Sequence, residues 1–153
     1  MLTAGEQAVL LKIAARSIRE GLADGTLDAI ASDHAPHSSI EKMVEFDQAA
    51  NGIIGLETSL PLALKLVHER VISMAHLVEL MATGPARILG RDYGLQTGMA
   101  ADVTVFKPDL EYTIDVEQFV SLSRNCPFNG WPVKGRAVMT IVGGRVVYEL
   151  SSV

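Results

Sequence analysis

Apolar residues recur every three or four positions in three stretches of the first part of the chain. This spacing places them on one face of a helix and predicts helices over residues 8–22, 56–69 and 74–81. Gly25 follows the first stretch where a helix has to end, and Ser73 is a good N-cap for the third. Gly84 and Pro85 close the third helix, and Pro61 is tolerated in the second only near its first turn.

The remaining apolar runs are short and predict strands. Residues 26–32 follow a turn at Gly25 and suit a strand buried on both faces of a parallel sheet. After Gly90 the pattern changes, and four runs predict further strands over residues 102–106, 113–116, 137–142 and 145–149. Gly143 and Gly144 separate the last two runs and tolerate the positive φ angles of a hairpin turn. A β-rich module therefore follows an α/β module, with the boundary between residues 90 and 98.

Composition and charge exclude several classes of protein. The 153 residues are 48% hydrophobic and 20% charged, which rules out a disordered chain and suffices for a buried core. The formal net charge is −5 and no basic block occurs, so neither nucleic acid nor an anionic membrane is an expected partner. Charged residues interrupt the apolar runs, and the first residues lack the basic start of a signal peptide, which predicts a soluble, cytoplasmic protein.

A polar cluster of Asp33, His34 and His37 follows the predicted strand directly. Pro36 disfavours helix at the residue before it, so the cluster is expected in a loop at the strand's C-terminal end, where α/β folds keep their chemistry. One carboxylate and two imidazoles can bind a divalent metal, move protons or contact a substrate, and they can also form a hydrogen-bonded turn. The spacing by itself leaves these alternatives open.

The cluster is part of a longer, collinear set of motifs between about residues 19 and 148. The set comprises Asp28-Ala-Ile-Ala-Ser-Asp-His-Ala-Pro-His37, Glu41-Lys42, Gly52-Ile-Ile-Gly-Leu-Glu-Thr-Ser-Leu-Pro-Leu62, Thr83-Gly-Pro-Ala-Arg-Ile-Leu89, Gly98-Met-Ala-Ala-Asp102 and Pro127-Phe-Asn-Gly-Trp131. In these motifs the sequence resembles the dihydroorotases, the cyclic amidohydrolases of pyrimidine synthesis. The resemblance is to about the C-terminal third of the long-chain bacterial form.

The resemblance implies a fold class and a reaction. The implied fold is α/β: residues 1–90 are the last βα units of an incomplete (β/α)8 metal-dependent hydrolase barrel. Residues 91–153 are then the C-terminal part of the small β-sandwich domain that flanks such barrels. The implied reaction is the reversible, zinc-dependent hydrolysis of dihydroorotate to N-carbamoyl-aspartate.

The same resemblance implies roles for individual residues. Asp33 matches the aspartate that ligates the zinc and takes the proton of the attacking water, and His37 matches the histidine that contacts the substrate carboxylate. Ala50, Asn51 and Gly52 match the backbone that holds the dihydropyrimidine ring. The family commonly has a proline where this chain has Ala50.

Other parts of the family's metal centre have no counterpart in the sequence. That centre needs a His-x-His pair, further metal ligands, and an arginine and an asparagine that bind the substrate, and none of the four histidines forms such a pair. We therefore expect the chain to be inactive by itself, either as a fragment of a longer enzyme or as a short product that has lost the catalytic half.

Two alternative functions remain at this point. Hydantoinases and allantoinases share the architecture and the aspartate, although His37 and the Gly-Leu-Glu-Thr string ending at Thr58 favour a dihydroorotase. A non-catalytic remnant would instead act as an assembly partner, as a homo-oligomer or with aspartate transcarbamoylase. The uncovered apolar strand edges of a truncated barrel are expected to promote association.

Several polar and aromatic residues are expected to have structural roles. His34 is expected to orient its neighbours, and His76 to lie at the surface or cap a helix. Glu57 and Thr58 are expected to cap the second helix, where a carboxylate meets the positive end of the dipole. Trp131 is expected to anchor a loop of the β-rich module.

Overall fold

The computed structural model describes residues 3–151, which form two compact units. The first unit contains the described residues up to Ile30 together with Leu66–Gly94, and the second contains Ala31–Lys65 together with the described residues from Leu95 onwards. Each unit is thus built from two separate stretches of chain.

Helices make up most of the first unit. Helix α1 spans Ala4–Asp24, as the periodicity predicts, and Gly25 ends it at a φ of +82°. Helix α4 spans Met74–Val78, and the Ser73 hydroxyl caps it by accepting a hydrogen bond from the His76 backbone N–H over 3.1 Å. The His76 ring lies 2.8 Å from the Leu22 carbonyl oxygen through Nε2, which ties α4 to α1.

The predicted end of the third helix at Gly84 is wrong. The chain continues from α4 through a π-helical turn, Glu79–Thr83, into helix α5, Gly84–Ile88. Pro85 lies in the first turn of α5, where its missing N–H costs no hydrogen bond. A Cβ at Gly84 would lie only 2.6 Å from the Asp28 carbonyl oxygen, so glycine here permits a close backbone approach rather than ending a helix.

The strand predicted over residues 26–32 does not form. The Ile30 N–H donates to the Leu80 carbonyl over 2.9 Å instead of to a neighbouring strand. Just beyond this stretch, a single parallel bridge joins His34 to Ile53. A strand needs at least one neighbouring strand for its hydrogen bonds, and within residues 3–151 the strands form a sheet that does not include this stretch.

The second unit contains a three-stranded antiparallel sheet in the order β1-β2-β3. Strands β1, β2 and β3 span Val103–Thr113, Pro132–Val142 and Arg145–Glu149. Val103 lies opposite Ile141, and Thr113 lies opposite Pro132. Gly143 and Gly144 have φ angles of +55° and +78°, which confirms the predicted hairpin turn.

The strand predicted over residues 113–116 is also wrong. Strand β1 ends at Thr113, and Val116–Gln118 form a single 3-10 turn that the Asp115 side chain caps. Ile114 and Val116 are 1% and 6% exposed, so their apolar pattern reflects burial of the chain just beyond the end of β1.

Two further helices follow the Asp33–His37 segment, α2 over Ser39–Lys42 and α3 over Ser59–His68. Pro61 lies in the first turn of α3, as predicted. Leu64 is fully buried and packs against Gly135 of β2, where a Cβ would overlap the leucine methyl group. Gly135 has a φ of +100°, so both its conformation and its lack of a side chain allow this contact.

Large apolar side chains stay exposed in both units. On α1, five large apolar side chains are between 49% and 71% exposed: Val9, Leu10, Leu11, Ile13 and Ile18. Val146 and Val147 of strand β3 are 55% and 62% exposed. No helix within residues 3–151 combines the length and the apolar content that a membrane span requires.

Candidate functional site

The Asp33–His37 loop leaves the carboxylate of Asp33 at the surface. Asp33 is exposed and has a φ of +43°, a left-handed conformation that aspartate adopts more readily than most residues. Its side chain makes no hydrogen bond to the residues whose side chains the structure describes. The Asp33 carboxylate is therefore free to meet a solute.

His34 points back into the protein. Its Nδ1 accepts hydrogen bonds from the backbone N–H groups of Gly55 and Leu56, over 3.1 and 3.4 Å. Because that nitrogen accepts, it carries no proton and is occupied by the chain itself. These bonds fit the structural role expected for His34.

His37 joins two of the segments that the sequence assigns to a substrate. Its Nε2 lies 2.8 Å from the Asn51 carbonyl oxygen, so this nitrogen donates, and its Nδ1 lies 3.9 Å from the Glu41 carboxylate. The ring is about one-quarter exposed. Both ring nitrogens thus face oxygen atoms, one of a backbone carbonyl and one of a carboxylate.

Lys42 and a glycine shape the loop formed by Ala50, Asn51 and Gly52. The Lys42 ammonium donates to the carbonyl oxygens of Ala50 and Gly52, over 2.6 and 2.9 Å. Gly52 has a φ of +108°, and a Cβ there would lie 2.5 Å from the Ala35 Cβ. The loop therefore approaches the Ala35 backbone as closely as only a glycine allows.

Two residues that the sequence reasoning did not single out hold these loops together. Asn125 donates through Nδ2 to the carbonyl oxygens of Ala35 and Gly52, over 2.9 and 3.2 Å. Ser123 accepts from the His37 backbone N–H over 3.1 Å and also contacts the His37 carbonyl oxygen. Asn125 lies just before the motif at Pro127, and that proximity was the one signal in the sequence that pointed to it.

Glu57 does not cap a helix, which corrects the sequence expectation. Its carboxylate accepts the backbone N–H groups of Val120 and Ser121, over 3.0 and 3.1 Å. Those two N–H groups belong to a distant part of the chain, so the Glu57 carboxylate holds that segment by hydrogen bonds. Thr58 is 1% exposed and lies within hydrogen-bond reach of the Gly55 carbonyl oxygen.

A capping box formed by Ser38 and Glu41 keeps a negative charge beside His37. The Ser38 hydroxyl accepts from the Glu41 N–H, and the Glu41 carboxylate accepts from the Ser38 backbone. Hydrogen bonds from the Ser38 hydroxyl and backbone lower the pKa of Glu41 below its usual value of 4.5, and the charge of His37 adds a smaller effect. Glu41 therefore stays anionic near the imidazole at neutral pH.

Four of the five sequence-predicted site residues are linked by these contacts, and one is separate. His37, Ala50, Asn51 and Gly52 lie in one hydrogen-bonded group, whereas no hydrogen bond joins Asp33 to it. A cavity of about 340 Å³ lies beside His37, and Asp33 is not among the residues that line it.

The described residues do not form a metal site by themselves. Within residues 3–151 no group of three or more histidine, cysteine, aspartate or glutamate side chains is arranged to hold an ion. Asp33 offers one carboxylate, whereas a zinc site needs three or four protein ligands.

In sequence, the chain is similar to a described family and to curated enzymes. The family described as "Amidohydrolase family" matches residues 10–147. The dihydroorotase of Desulforapulum autotrophicum is 58% identical over 133 residues, with 87% of this chain and 31% of the relative covered. The dihydroorotase of Geotalea daltonii is 58% identical over 134 residues, with 87% and 32% covered. The chain thus spans about a third of the length of the curated relatives it matches.

In structure, the chain is similar to two solved enzymes. The L-hydantoinase (dihydropyrimidinase) of Arthrobacter aurescens gives a TM-score of 0.81 at 38% identity, covering 89% of this chain and 32% of that chain. The dihydropyrimidinase of Brevibacillus agri gives a TM-score of 0.81 at 26% identity, covering 87% of this chain and 31% of that chain.

Proposed function

Because this chain belongs to the amidohydrolase family, we propose that it supplies the C-terminal part of a dihydroorotase. The reaction would be the reversible hydrolysis of dihydroorotate to N-carbamoyl-aspartate in pyrimidine biosynthesis. The likeness to the Arthrobacter enzyme confirms the predicted α/β fold class, a part of a metal-dependent hydrolase barrel followed by β-strands. Residues 1–90 and 91–153 are the proposed barrel and β-domain parts.

One contact carries the proposal together with the 58% identity to curated dihydroorotases. The hydrogen bond between His37 Nε2 and the Asn51 carbonyl oxygen brings together the residues that the resemblance assigns to the substrate carboxylate and to the ring. His37 Nε2 is bonded to Asn51, so a substrate carboxylate would approach the ring at Nδ1, where it would compete with the Glu41 carboxylate 3.9 Å away.

Asp33 is the proposed general base. An exposed carboxylate in a loop can take a proton from an attacking water and pass it to the departing amide nitrogen. Its φ of +43° turns the backbone sharply at this point, directly before the His34 bridge to Ile53.

The family's zinc does not fit the described residues of this chain alone. Asp33 is the ligand that the resemblance assigns, and among the residues near it that the structure describes, the His34 Nδ1 and His37 Nε2 atoms are already bonded to backbone groups. We therefore assign no reaction step to a metal here, and we expect the chain by itself neither to retain zinc nor to turn over substrate. The remaining ligands would have to come from outside this sequence.

Location and partners belong to the proposal as well. A dihydroorotase would act in the cytoplasm, on a small anionic substrate. The exposed apolar side chains of α1 fit association with further polypeptide, either a second copy or aspartate transcarbamoylase.

A hydantoinase-type activity is the second candidate, and the 38% identity to the Arthrobacter L-hydantoinase favours it. A non-catalytic remnant is the third. An experiment with a chimera separates all three: the matching segment of the Desulforapulum dihydroorotase is replaced by this chain, and the product is assayed with dihydroorotate, hydantoin and allantoin.

The proposal predicts that the chimera acts on dihydroorotate in preference to the other two rings. Asp33→Asn should then lower its kcat by about 10²–10⁴-fold, the range for a lost general base. Asp47→Asn, at another exposed aspartate of the same unit, is the matched control and should keep full activity. Preference for hydantoin or allantoin would establish the second candidate. A folded chimera without activity on any ring would support the remnant.

A further inference from the structure

Asn125 uses every hydrogen-bonding group of its side chain between two loops of the candidate site. Its Nδ2 hydrogens go to the carbonyl oxygens of Ala35 and Gly52, over 2.9 and 3.2 Å. Its Oδ1 lies 2.5 Å from the Ser123 hydroxyl and 3.4 Å from the His37 backbone N–H. The Asn125 side chain therefore contacts both the chain leading into His37 and the ring-binding loop.

The backbone of Asn125 strengthens the same connection. Its carbonyl oxygen accepts from the Ile54 N–H over 3.2 Å, two residues beyond Gly52. The residue is partly buried, so its lost hydrogen bonds would not be fully replaced by water. A side chain with two N–H donors and one acceptor is needed for this set of bonds, and asparagine is the smallest that provides it.

We propose that Asn125 is a positioning residue that sets the distance between His37 and the Asn51–Gly52 backbone, so that a substrate carboxylate and its ring are held at the same time. This inference rests on the proposed function for the identity of the ligand. Asn125 itself touches no reacting atom, because its partners are backbone groups and the neighbouring Ser123 hydroxyl.

The two loops should respond unequally when Asn125 is changed. Gly52 keeps a second donor, since the Lys42 ammonium lies 2.9 Å from its carbonyl oxygen. No other side-chain donor to the Ala35 carbonyl is found among the described residues. Loss of the Asn125 amide should therefore loosen the segment from Ala35 to His37 more than the segment around Gly52.

Asn125→Asp tests this directly in the chain as it stands. The substitution keeps the shape and Oδ1 but places a carboxylate oxygen against two carbonyl oxygens, which repel it. We expect amide exchange at Ala35, measured by NMR, to quicken by about tenfold, the equivalent of one lost hydrogen bond of about 1.4 kcal/mol. Exchange in strands β1 and β2 should stay unchanged, and the ring signals of His37 should shift.

Asn129→Asp is the matched control. The Asn129 Oδ1 accepts from the Val116 N–H over 3.1 Å, and a carboxylate keeps that bond. This variant adds the same charge in the same segment and should leave the Ala35 exchange and the His37 signals as they are. If Asn125→Asp does not fold, Ser123→Ala provides the second test, because it removes the hydroxyl beside His37 and leaves the Nδ2 bonds of Asn125 to Ala35 and Gly52. Exchange at Ala35 should then stay as it is, and a tenfold increase would overturn the positioning role of the Asn125 amide.

A titration with N-carbamoyl-aspartate tests the positioning role of Asn125 and the proposed ligand separately. In the unsubstituted chain it should shift the His37 ring signals, and Asn125→Asp should weaken that binding about tenfold while Asn129→Asp should not. No shift in the unsubstituted chain would count against the proposed ligand but leave the exchange result as a test of Asn125. Equal exchange rates at Ala35 in Asn125→Asp and Asn129→Asp would overturn the positioning role.

Discussion

Substitution of Gly52 by alanine tests the close contact on which the candidate site is built. Two effects add at this position. The φ of +108° is unfavourable for any residue with a Cβ, at a cost of about 1–3 kcal/mol. The new Cβ would also lie 2.5 Å from the Ala35 Cβ, well inside van der Waals contact, and overpacking of this kind costs about 1–3 kcal/mol.

We therefore expect Gly52→Ala to lower the free energy of unfolding by about 2–6 kcal/mol. Gly98→Ala is the matched control, because Gly98 has a φ of +91° but no atom within 4 Å of the position of its Cβ. Gly98→Ala should cost only the backbone contribution, about 1–3 kcal/mol. The stabilising loss of unfolded-state entropy is the same for both and cancels in the comparison.

Urea unfolding followed by the fluorescence of Trp131, the single tryptophan, measures both variants. A third variant isolates the contact: Ala35→Gly removes the opposing methyl group, so Gly52→Ala should cost less in that background than in the unsubstituted chain. Equal losses for Gly52→Ala and Gly98→Ala, together with no relief from Ala35→Gly, would refute the close packing of the two loops.

Three further outcomes follow from the structure. Leu64→Ala should cost about 2–5 kcal/mol because the side chain is fully buried, whereas Leu122→Ala, at a side chain 98% exposed, should change stability by less than about 0.5 kcal/mol in the same urea assay. Ser38→Ala should raise the pKa of Glu41 toward 4.5 in an NMR titration. Because folding lowers this pKa, the ionised Glu41 stabilises the folded chain above pH 4.5, and this contribution is lost as the pH falls through the pKa of the folded state. Dialysed chain should contain no stoichiometric zinc by elemental analysis, and Asp33→Asn should not change that content; one equivalent of zinc that disappears in the variant would contradict the incomplete site.

Patterns that depend on neighbouring residues in the chain were predictable. Helix α1 and its end at Gly25 follow from spacing and a glycine, and the Ser73 cap follows from residue type. The hairpin at Gly143 and Gly144 likewise needs only local backbone freedom. Each of these features depends on interactions within a few residues, which the sequence displays directly.

Features that depend on distant partners were not predictable in this way. The apolar stretch 26–32 has the composition of a buried strand, yet it forms none, because strand pairing requires neighbouring strands. Glu57 has the position of a helix cap but binds the N–H groups of Val120 and Ser121. In both cases the residue type indicated which interactions were possible but not which distant residue would be the partner.

In the candidate site, too, some features follow from the sequence and others only from the tertiary structure. The motifs alone determined the family and picked out Asp33, His37 and the loop at Gly52, because these residues carry the chemistry and the required backbone freedom. Only the tertiary structure decided that His37 reaches Asn51 and that Asn125 holds the two loops together. Hydrogen bonds of this kind join residues far apart in the chain, and their geometry exists only after folding has brought both ends together.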